Sequence, residues 1–172
     1  MLSRRGRPPL WLGLVIVMGL AALAGAGREA ARWLRSERIT GAAEVIDGDS
    51  LRVGGRELRL EGIDAPEYRQ TCRRGDSEEP CGRQAREALA RLVGSGPLHC
   101  DVDATDRYGR GLATCRAGAV EINRMLVRDG MAVAFGRYED EEAAAQAARR
   151  GIWATRFQRP ADWRTSHPRS DP

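Results

Sequence analysis

Residues 45–67, VIDGDSLRVGGRELRLEGIDAPE, enclose a hairpin pattern between two acidic clusters. The clusters are Asp-Gly-Asp at 47–49 and Asp-Ala-Pro-Glu at 64–67. Between them, Gly54-Gly55 is a hairpin turn signal, and polar and apolar residues alternate after it. The alternation puts Arg59 on the face opposite the leucines of its own strand. A solvated strand arginine is the ordinary interpretation, and an arginine facing a cleft is the functional one.

Outside this stretch, the spacing of apolar residues and turn signals predicts the remaining elements. Strands are predicted at 41–46, 50–53, 56–62, 97–104 and 111–116, a loop at 68–80, and helices at 81–93, 121–129 and 139–150. Short strands, a helix, two more strands and two helices are typical of a small barrel with flanking helices. We therefore expect an α+β fold, a five-stranded OB-fold β-barrel with about three flanking helices.

An uncharged, largely apolar run extends from Pro8 to Gly27, directly after three arginines. Its length suits a bilayer crossing, which takes about 20 apolar residues, but Ala24-Gly25-Ala26 resembles a signal-peptide cleavage site. A cleaved signal peptide and a retained membrane anchor both remain open. Under either interpretation the arginines stay in the cytoplasm, so the following domain is exported to the periplasm or the exterior. The expected division is 1–27 signal peptide or transmembrane anchor, 28–40 linker, 41–155 barrel domain and 156–172 C-terminal tail.

The charge balance gives little support to a broad nucleic-acid surface. The chain has a net charge of +4, and all of its basic side chains other than histidine are arginines. Arg4, Arg5 and Arg7 precede the apolar run, so the remainder carries +4 − 3 = +1. Attraction to phosphate must then come from local placement of arginines rather than from the overall charge.

The cysteines predict two disulfides. An even number of cysteines in an exported domain is typical of a disulfide framework. The spacing lacks a C-x-x-C pair, and the two histidines lie far apart, which argues against a zinc site. Among the three possible connectivities, Cys72 with Cys81 closes a surface loop, and Cys100 with Cys115 joins two predicted strands, so we pair them in this way.

The acidic clusters and two arginines form a possible site for phosphate chemistry. Asp49 and Asp64 offer hard oxygen ligands suited to calcium or magnesium, with waters completing the shell. Glu67, in the same loop as Asp64, can orient or deprotonate a water for attack on phosphorus. Arg59 and Arg110 can donate forked hydrogen bonds to phosphate oxygens. Taken singly, each residue is more often a turn former or a surface charge, but together they favour metal-dependent phosphodiester hydrolysis.

Several motifs now carry a family resemblance: VIDGDS, LRLEGIDAPE, DRYGRGLA, INRMLVRDGMA and GIW. In this order they resemble the staphylococcal nuclease (thermonuclease) family over about residues 42–153. The resemblance implies an OB-fold barrel with three helices and a calcium-dependent phosphodiesterase acting on DNA and RNA. Two positions depart mildly, because Ser50 and Ala65 stand where the family usually has threonine.

The resemblance also assigns roles to individual positions. Asp49 and Asp64 match the calcium ligands, Ala65 matches a ligand through its backbone carbonyl, and Asp47 matches an outer acid. Arg59, Glu67 and Arg110 match the catalytic trio. For substrate contact, Tyr108 is a candidate for a base or sugar, and Tyr138 is a looser match; simple packing is the alternative for both tyrosines.

Two other functions compete with a nuclease. Family relatives with degenerate sites bind nucleic acid or protein without cutting, and some bacterial relatives are associated with envelope polysaccharide metabolism. The intact trio favours the enzyme over a binding module, and no residue favours a sugar site over a phosphate site. We expect a monomer that acts on nucleic acid, with membrane contact through the N-terminal segment if that segment is retained.

Overall fold

The computed structural model describes residues 37–168. The predicted signal peptide or anchor at 1–27, and the linker up to residue 36, lie outside the described residues. Within 37–168, no helix has both the length and the apolar character that a membrane crossing requires.

Short strands make up most of the described chain. They are β1 Glu37–Gly41, β2 Ala43–Val45, β3 Ser50–Val53, β4 Arg56–Leu60, β5 Ile63–Asp64, β6 Cys72–Arg74, β7 Ser77–Glu79, β8 Leu98–Thr105, β9 Gly111–Ala117, β10 Val120–Glu121 and β11 Val133–Ala134. The helices are α1 Cys81–Val93, α2 Ile122–Arg128, α3 Glu139–Ala147 and α4 Pro160–Ser166, with a 3-10 turn at Gly151–Ala154.

The main sheet has seven strands in the order β1-β8-β9-β4-β3-β2, with β10 added to β9. Every pairing is antiparallel except that of β4 with β9. Only Ala42 separates β1 from β2, yet β1 pairs with β8 and β2 pairs with β3, at opposite ends of the order. Because one stretch of chain joins both ends, the sheet curls on itself in the manner of an OB-fold.

The predicted strand count and boundaries need correction. Five barrel strands were expected, but the first predicted strand, 41–46, is divided at Ala42 into β1 and β2, and β10 extends the sheet. β1 also begins at Glu37, inside the predicted linker, where it pairs with β8. Its side chains are mostly exposed, so an edge strand of this kind leaves no apolar alternation to detect.

The core lies between the curled sheet and helices α1 and α2. Its largest fully buried side chains are those of Leu51, Leu58, Leu60, Ile63, Leu89, Leu98, Ile122 and Leu126. Burying each such side chain contributes about 1.5–3 kcal/mol before the entropy of folding is counted. The predicted alternation in β4 is confirmed, because Leu58 and Leu60 are buried and Arg59 between them is partly exposed.

The predicted loop at 68–80 contains the β6–β7 hairpin, which the Cys72–Cys81 disulfide closes. The second disulfide, Cys100–Cys115, joins residues that face each other on β8 and β9. Both predicted pairings are therefore confirmed.

The C-terminal tail is more ordered than the sequence indicated. About three helices were expected, whereas residues 37–168 contain four α-helices, the last of them in the predicted tail. Before this helix, the backbone of Arg156 forms a β-bridge with that of Arg73 in β6, with N–O distances of 2.9 and 2.8 Å. The tail therefore docks onto the disulfide-closed hairpin.

Candidate active site

Two buried aspartates share one arginine at the centre of the site. Asp49 lies in the turn before β3 and is 4% exposed, and Asp64 ends β5 and is 3% exposed. Arg59, on β4, donates from Nη1 to Asp49 Oδ1 and from Nη2 to Asp64 Oδ1, each at 2.8 Å. The β3–β4 register places Arg59 opposite Ser50, so the hairpin itself brings the arginine to the aspartates.

The Asp49 carboxylate is held by its surroundings but is short of positive charge. Its oxygens accept hydrogen bonds from the Ser50 hydroxyl at 3.1 Å and from the Ala65 amide at 3.0 Å. The Asp47 carboxylate accepts a hydrogen bond from the Asp49 backbone N–H at 3.0 Å, which closes the turn before β3. Burial raises the pKa of Asp49 to about 7, although Arg59 opposes the shift. A further cation beside this carboxylate would offset the cost of burying its charge.

The loop that carries Glu67 is fixed by a fully buried glutamine. The Gln70 side-chain oxygen, Oε1, accepts a hydrogen bond from the Glu67 backbone N–H at 3.2 Å. The Gln70 backbone N–H in turn donates to the Glu67 backbone carbonyl at 2.7 Å, and Gln70 is fully buried. The first turn of α1 packs so closely here that a Cβ at Gly82 would lie 1.7 Å from the Glu67 carbonyl oxygen. Sequence reasoning did not identify Gln70, because nothing in a polar loop distinguishes a buried amide from a solvated one.

Arg110 lies at the start of β9, beside the strand that carries Arg59. The parallel β4–β9 register places Gly111 opposite Leu58 and Leu112 opposite Arg59. The Asp106 carboxylate accepts a hydrogen bond from Arg110 Nε at 2.8 Å and another from the Arg110 backbone N–H at 3.0 Å. In the described part of the chain, Arg110 is thus ion-paired with Asp106 and not with the aspartates that bind Arg59.

The two candidate tyrosines differ in their surroundings. Tyr108 is 69% exposed, with the guanidinium groups of Arg107 and Arg110 over its ring at 4.8 and 5.6 Å. It therefore offers an open aromatic face beside Arg110.

Tyr138 is 7% exposed and belongs to the hydrophobic core. Its hydroxyl donates to Glu121 at 3.0 Å, and the guanidinium groups of Arg137 and Arg124 lie 5.1 and 5.7 Å from its ring centroid. These contacts support the packing alternative for Tyr138, and its role as a substrate contact stays a prediction.

Arg164, in α4, is a site residue that the sequence did not indicate. Its Nη1 and Nη2 lie 2.9 and 3.0 Å from the two oxygens of Asp64. The same Nη1 lies 2.9 Å from Glu67 Oε1. Hydrogen bonds to Asp64 raise the pKa of Arg164, as does its pairing with Glu67. The structure thus brings Asp49, Asp64, Arg59 and Glu67 together, with an additional arginine from the tail.

The donor set suits a hard cation, although it is sparse. Asp49 and Asp64 supply carboxylate oxygens, which calcium and magnesium prefer. No group of three or more His, Cys, Asp or Glu side chains within residues 37–168 is arranged to hold a metal ion. Two aspartates would therefore need a backbone carbonyl and waters to complete a shell. The cation would also supply the positive charge that Asp49 lacks.

A matched family model now adds to this geometry. Over residues 57–155, more than half of the chain, the sequence matches the model described as Staphylococcal nuclease homologue. The chain belongs to the staphylococcal nuclease family. Arg59, Asp64, Glu67 and Arg110 lie inside the matched stretch. Asp49 precedes it and Arg164 follows it.

Named relatives of this family member have different descriptions. The chain is 39% identical over 127 residues to a succinoglycan biosynthesis protein of Rhizobium meliloti (strain 1021), covering 69% of this chain and 66% of that protein. It is 32% identical to an Oryza sativa subsp. japonica protein named "Probable staphylococcal-like nuclease", covering 68% of this chain but 35% of that longer protein. It is 30% identical to a thermonuclease of Staphylococcus hyicus, covering 64% of this chain and 72% of that protein.

The described cavities do not coincide with the candidate catalytic groups. One cavity of about 440 Å³ is lined by residues of α2 and the turn into α3, including Arg124, Arg137 and Tyr138. Another of about 310 Å³ lies beside the Glu67 loop and is lined by Tyr68, Arg69, Gln70, Thr71, Pro80 and Arg83. We base the site on the Asp49–Arg59–Asp64 cluster instead, because chemistry at an extended polymer does not require an enclosed pocket.

Proposed function

We propose that the chain is a calcium-dependent phosphodiesterase that hydrolyses DNA, RNA or both. The observation that carries this proposal is Arg59, which bridges the buried Asp49 and Asp64 at 2.8 Å each. Glu67 lies close by, because one nitrogen of Arg164 contacts both Asp64 Oδ1 and Glu67 Oε1. Asp64 Oδ1 and Glu67 Oε1 each lie 2.9 Å from this nitrogen, so the two oxygens are separated by at most twice that distance. At such a separation, a water on a cation held by Asp64 is within reach of Glu67.

Each residue has a distinct role in the proposed reaction. Asp49, Asp64 and the Ala65 carbonyl would hold calcium, with Asp47 outside them; the ion supplies electrophilic stabilisation of phosphate and orients a water. Glu67 takes a proton from a water as that water attacks phosphorus; the P–O bond to the leaving sugar oxygen breaks, and that oxygen takes a proton from solvent. Arg59 and Arg110 donate hydrogen bonds to the phosphate oxygens as their negative charge grows. Tyr108, exposed beside Arg110, contacts the base or sugar.

The setting proposed for this activity is an oxidising compartment. Disulfides persist mainly in exported proteins, and residues 37–168 contain two. We propose a periplasmic or extracellular monomer, attached to the membrane if the N-terminal segment is retained.

The competing function is a binding module that does not cut. The contacts of Arg164 with Asp64 and Glu67 favour this alternative, because they engage a metal ligand and the proposed base in one ion pair. An envelope factor related to the Rhizobium protein is a further alternative that the described site does not distinguish.

The deciding experiment assays the purified chain on plasmid DNA and on RNA, with calcium, with magnesium and with excess chelator. We expect cleavage with calcium, less with magnesium because of its stricter octahedral shell, and none with chelator. Glu67→Gln serves as the control for contaminating nucleases; it should stay folded and lose about 10²-fold or more in kcat. Undiminished cutting in chelator would refute the metal assignment, and no cutting by the folded wild-type chain would favour the binding module.

A further inference from the structure

We propose that the C-terminal segment, residues 156–166, is an inhibitory strap that seats Arg164 in the place where calcium would bind. Calcium must then displace Arg164 before the site is complete. The inference rests on the proposed function, since it takes Asp64 as a calcium ligand and Glu67 as the base. The family model ends at residue 155, so the strap lies outside the stretch that defines the family.

The first support is that Arg164 and a cation need the same oxygens. Both carboxylate oxygens of Asp64 accept hydrogen bonds from Arg164, at 2.9 and 3.0 Å. Arg59 already takes a further position on Oδ1, at 2.8 Å. Arg164 contacts both oxygens of Asp64, whereas Arg59 contacts one, so a calcium ion on Asp64 would need oxygen positions that Arg164 holds. Calcium and Arg164 therefore compete for Asp64.

The second support is that Arg164 also engages the proposed base. Its Nη1 binds Glu67 Oε1 at 2.9 Å. A carboxylate oxygen that is engaged by a guanidinium must leave that contact before it can accept a proton from water in the same position. One arginine thus contacts a proposed metal ligand and the proposed base together, and its departure would remove both contacts.

The third support is that the strap is fixed at its start and loosely packed at its end. Arg156 pairs with β6 through two backbone hydrogen bonds, and Gln70 Nε2 donates to the Gln158 carbonyl at 2.6 Å. Beyond this anchor, α4 buries only Pro160, and Trp163 stacks on His167 of its own segment at 3.6 Å. A helix with so little buried surface opens at low cost. The strap can therefore swing from its anchor while the barrel stays folded.

The test is calcium binding to the full 172-residue chain, measured by titration calorimetry on the wild type, Arg164→Gln and Arg52→Gln. Arg52 is the matched control. It lies on β3, outside the strap, its side chain is 43% exposed like that of Arg164, and it pairs with Glu44 at 2.8 Å rather than with the site. Both substitutions remove one positive charge, so the comparison separates the strap from general electrostatics.

We expect Arg164→Gln to bind calcium about tenfold or more tightly than the wild type, the gain that follows when a competent fraction of about a tenth becomes nearly complete. Arg52→Gln should bind like the wild type. Hydrogen exchange gives a second readout: calcium should speed amide exchange in residues 158–166 of the wild type while exchange in the barrel strands slows.

Three results would contradict the inhibitory role of the strap, and each has a different consequence for the proposed calcium site. Equal calcium affinity in the wild type and Arg164→Gln would remove the strap but leave the calcium site standing. An equal gain in Arg164→Gln and Arg52→Gln would show that the effect comes from the loss of one positive charge and not from the strap. No calcium binding in any of the three folded proteins would refute the calcium site of the proposed function, and the strap with it. Melting curves of each variant establish that the protein is folded.

Discussion

Arg59 has a structural role and a proposed catalytic role, and they can be separated by experiment. It donates hydrogen bonds to two buried carboxylates, Asp49 and Asp64, and offsets part of their negative charge. In the proposed reaction the same guanidinium faces phosphate. Removing Arg59 takes away the positive charge that lies between the two buried carboxylates. A cation bound there would restore part of that charge. Arg110 pairs instead with the single carboxylate of Asp106, in a turn beside the exposed Tyr108.

We therefore expect Arg59→Ala to lower stability more than Arg110→Ala does. Removing Arg59 breaks pairs with two carboxylates that are 4–5% exposed, which costs on the order of 3 kcal/mol. Arg110 pairs with one carboxylate that is 15% exposed, so its removal should cost less. Both variants should lose about 10²-fold in kcat, the effect of removing one hydrogen bond to a developing charge. Urea unfolding in chelator and then in calcium provides the measurement; calcium should stabilise every variant that binds it, and Arg59→Ala more than Arg110→Ala. Equal unfolding free energies for the two variants in chelator would contradict this account of Arg59.

Tyr138 provides a test of packing against substrate contact. Tyr138→Phe should cleave nucleic acid with the wild-type kcat/KM, because Tyr138 is a core residue. Burial raises the pKa of Tyr138 to about 12, above its usual value near 10. The folded chain therefore keeps this proton where the unfolded chain releases it, so the contribution is complete below pH 10 and is lost as pH rises towards 12. Between those pH values, the wild type should lose more unfolding free energy than Tyr138→Phe. A reduced kcat/KM in folded Tyr138→Phe would instead support Tyr138 as a substrate contact.

At the scale of elements, the disulfides fasten different parts of the molecule. Cys100–Cys115 joins two neighbouring strands of the main sheet, with a sequence separation of 15. Cys72–Cys81 closes the hairpin whose Arg73 pairs with Arg156 at the start of the strap. The first should therefore stabilise the barrel, and the second should hold the strap in place.

We predict that replacing each cystine by a pair of serines separates these effects. Loss of Cys100–Cys115 should cost about 3 kcal/mol of unfolding free energy by the loop-entropy estimate. Loss of Cys72–Cys81 should instead speed hydrogen exchange in residues 156–166, with a smaller change in the melting of the sheet. Each double variant is the control for the other. If both pairs of serines changed exchange in the strap equally, the hairpin would not be its anchor.

The sequence predicted those elements whose side chains show a period or a chemical signature. Leucines alternating around Arg59 identified β4, and cysteine spacing identified both disulfides. The role of α4 could not be found in this way. The contact between Arg164 and Asp64 spans 100 positions along the chain, and the helix buries only Pro160, so no apolar pattern marks its docked face. Polar contacts between distant segments depend on the finished fold and leave no local signal.

At the scale of the whole molecule, charge is balanced and attraction to phosphate is local. Once the three N-terminal arginines are removed from the total of +4, the remainder carries +4 − 3 = +1. Among residues 37–168, Arg38, Arg52, Arg116 and Arg137 are paired with acids on the sheet surface. Arg107 and Arg110 both lie over the exposed Tyr108 ring. We therefore expect attraction to phosphate to depend on a few arginines rather than on the overall charge.

We expect the affinity for single-stranded nucleic acid to depend only weakly on salt. Each neutralised phosphate contributes about −0.7 to the slope of log affinity against log salt concentration, so two or three contacts give a slope of about −1.4 to −2.1. Fluorescence anisotropy with a labelled oligonucleotide, using Glu67→Gln in calcium to prevent cleavage, measures this slope. Arg110→Ala in the same background should reduce it by about one contact, whereas Arg38→Ala, on the distant β1 strand, should leave it unchanged. A slope steeper than about −5 would require seven or more contacts and so an extended basic surface. That outcome would place substrate binding outside the Asp49–Arg59–Asp64 cluster, and the chain would then hold nucleic acid chiefly through surface arginines instead of at its proposed catalytic centre.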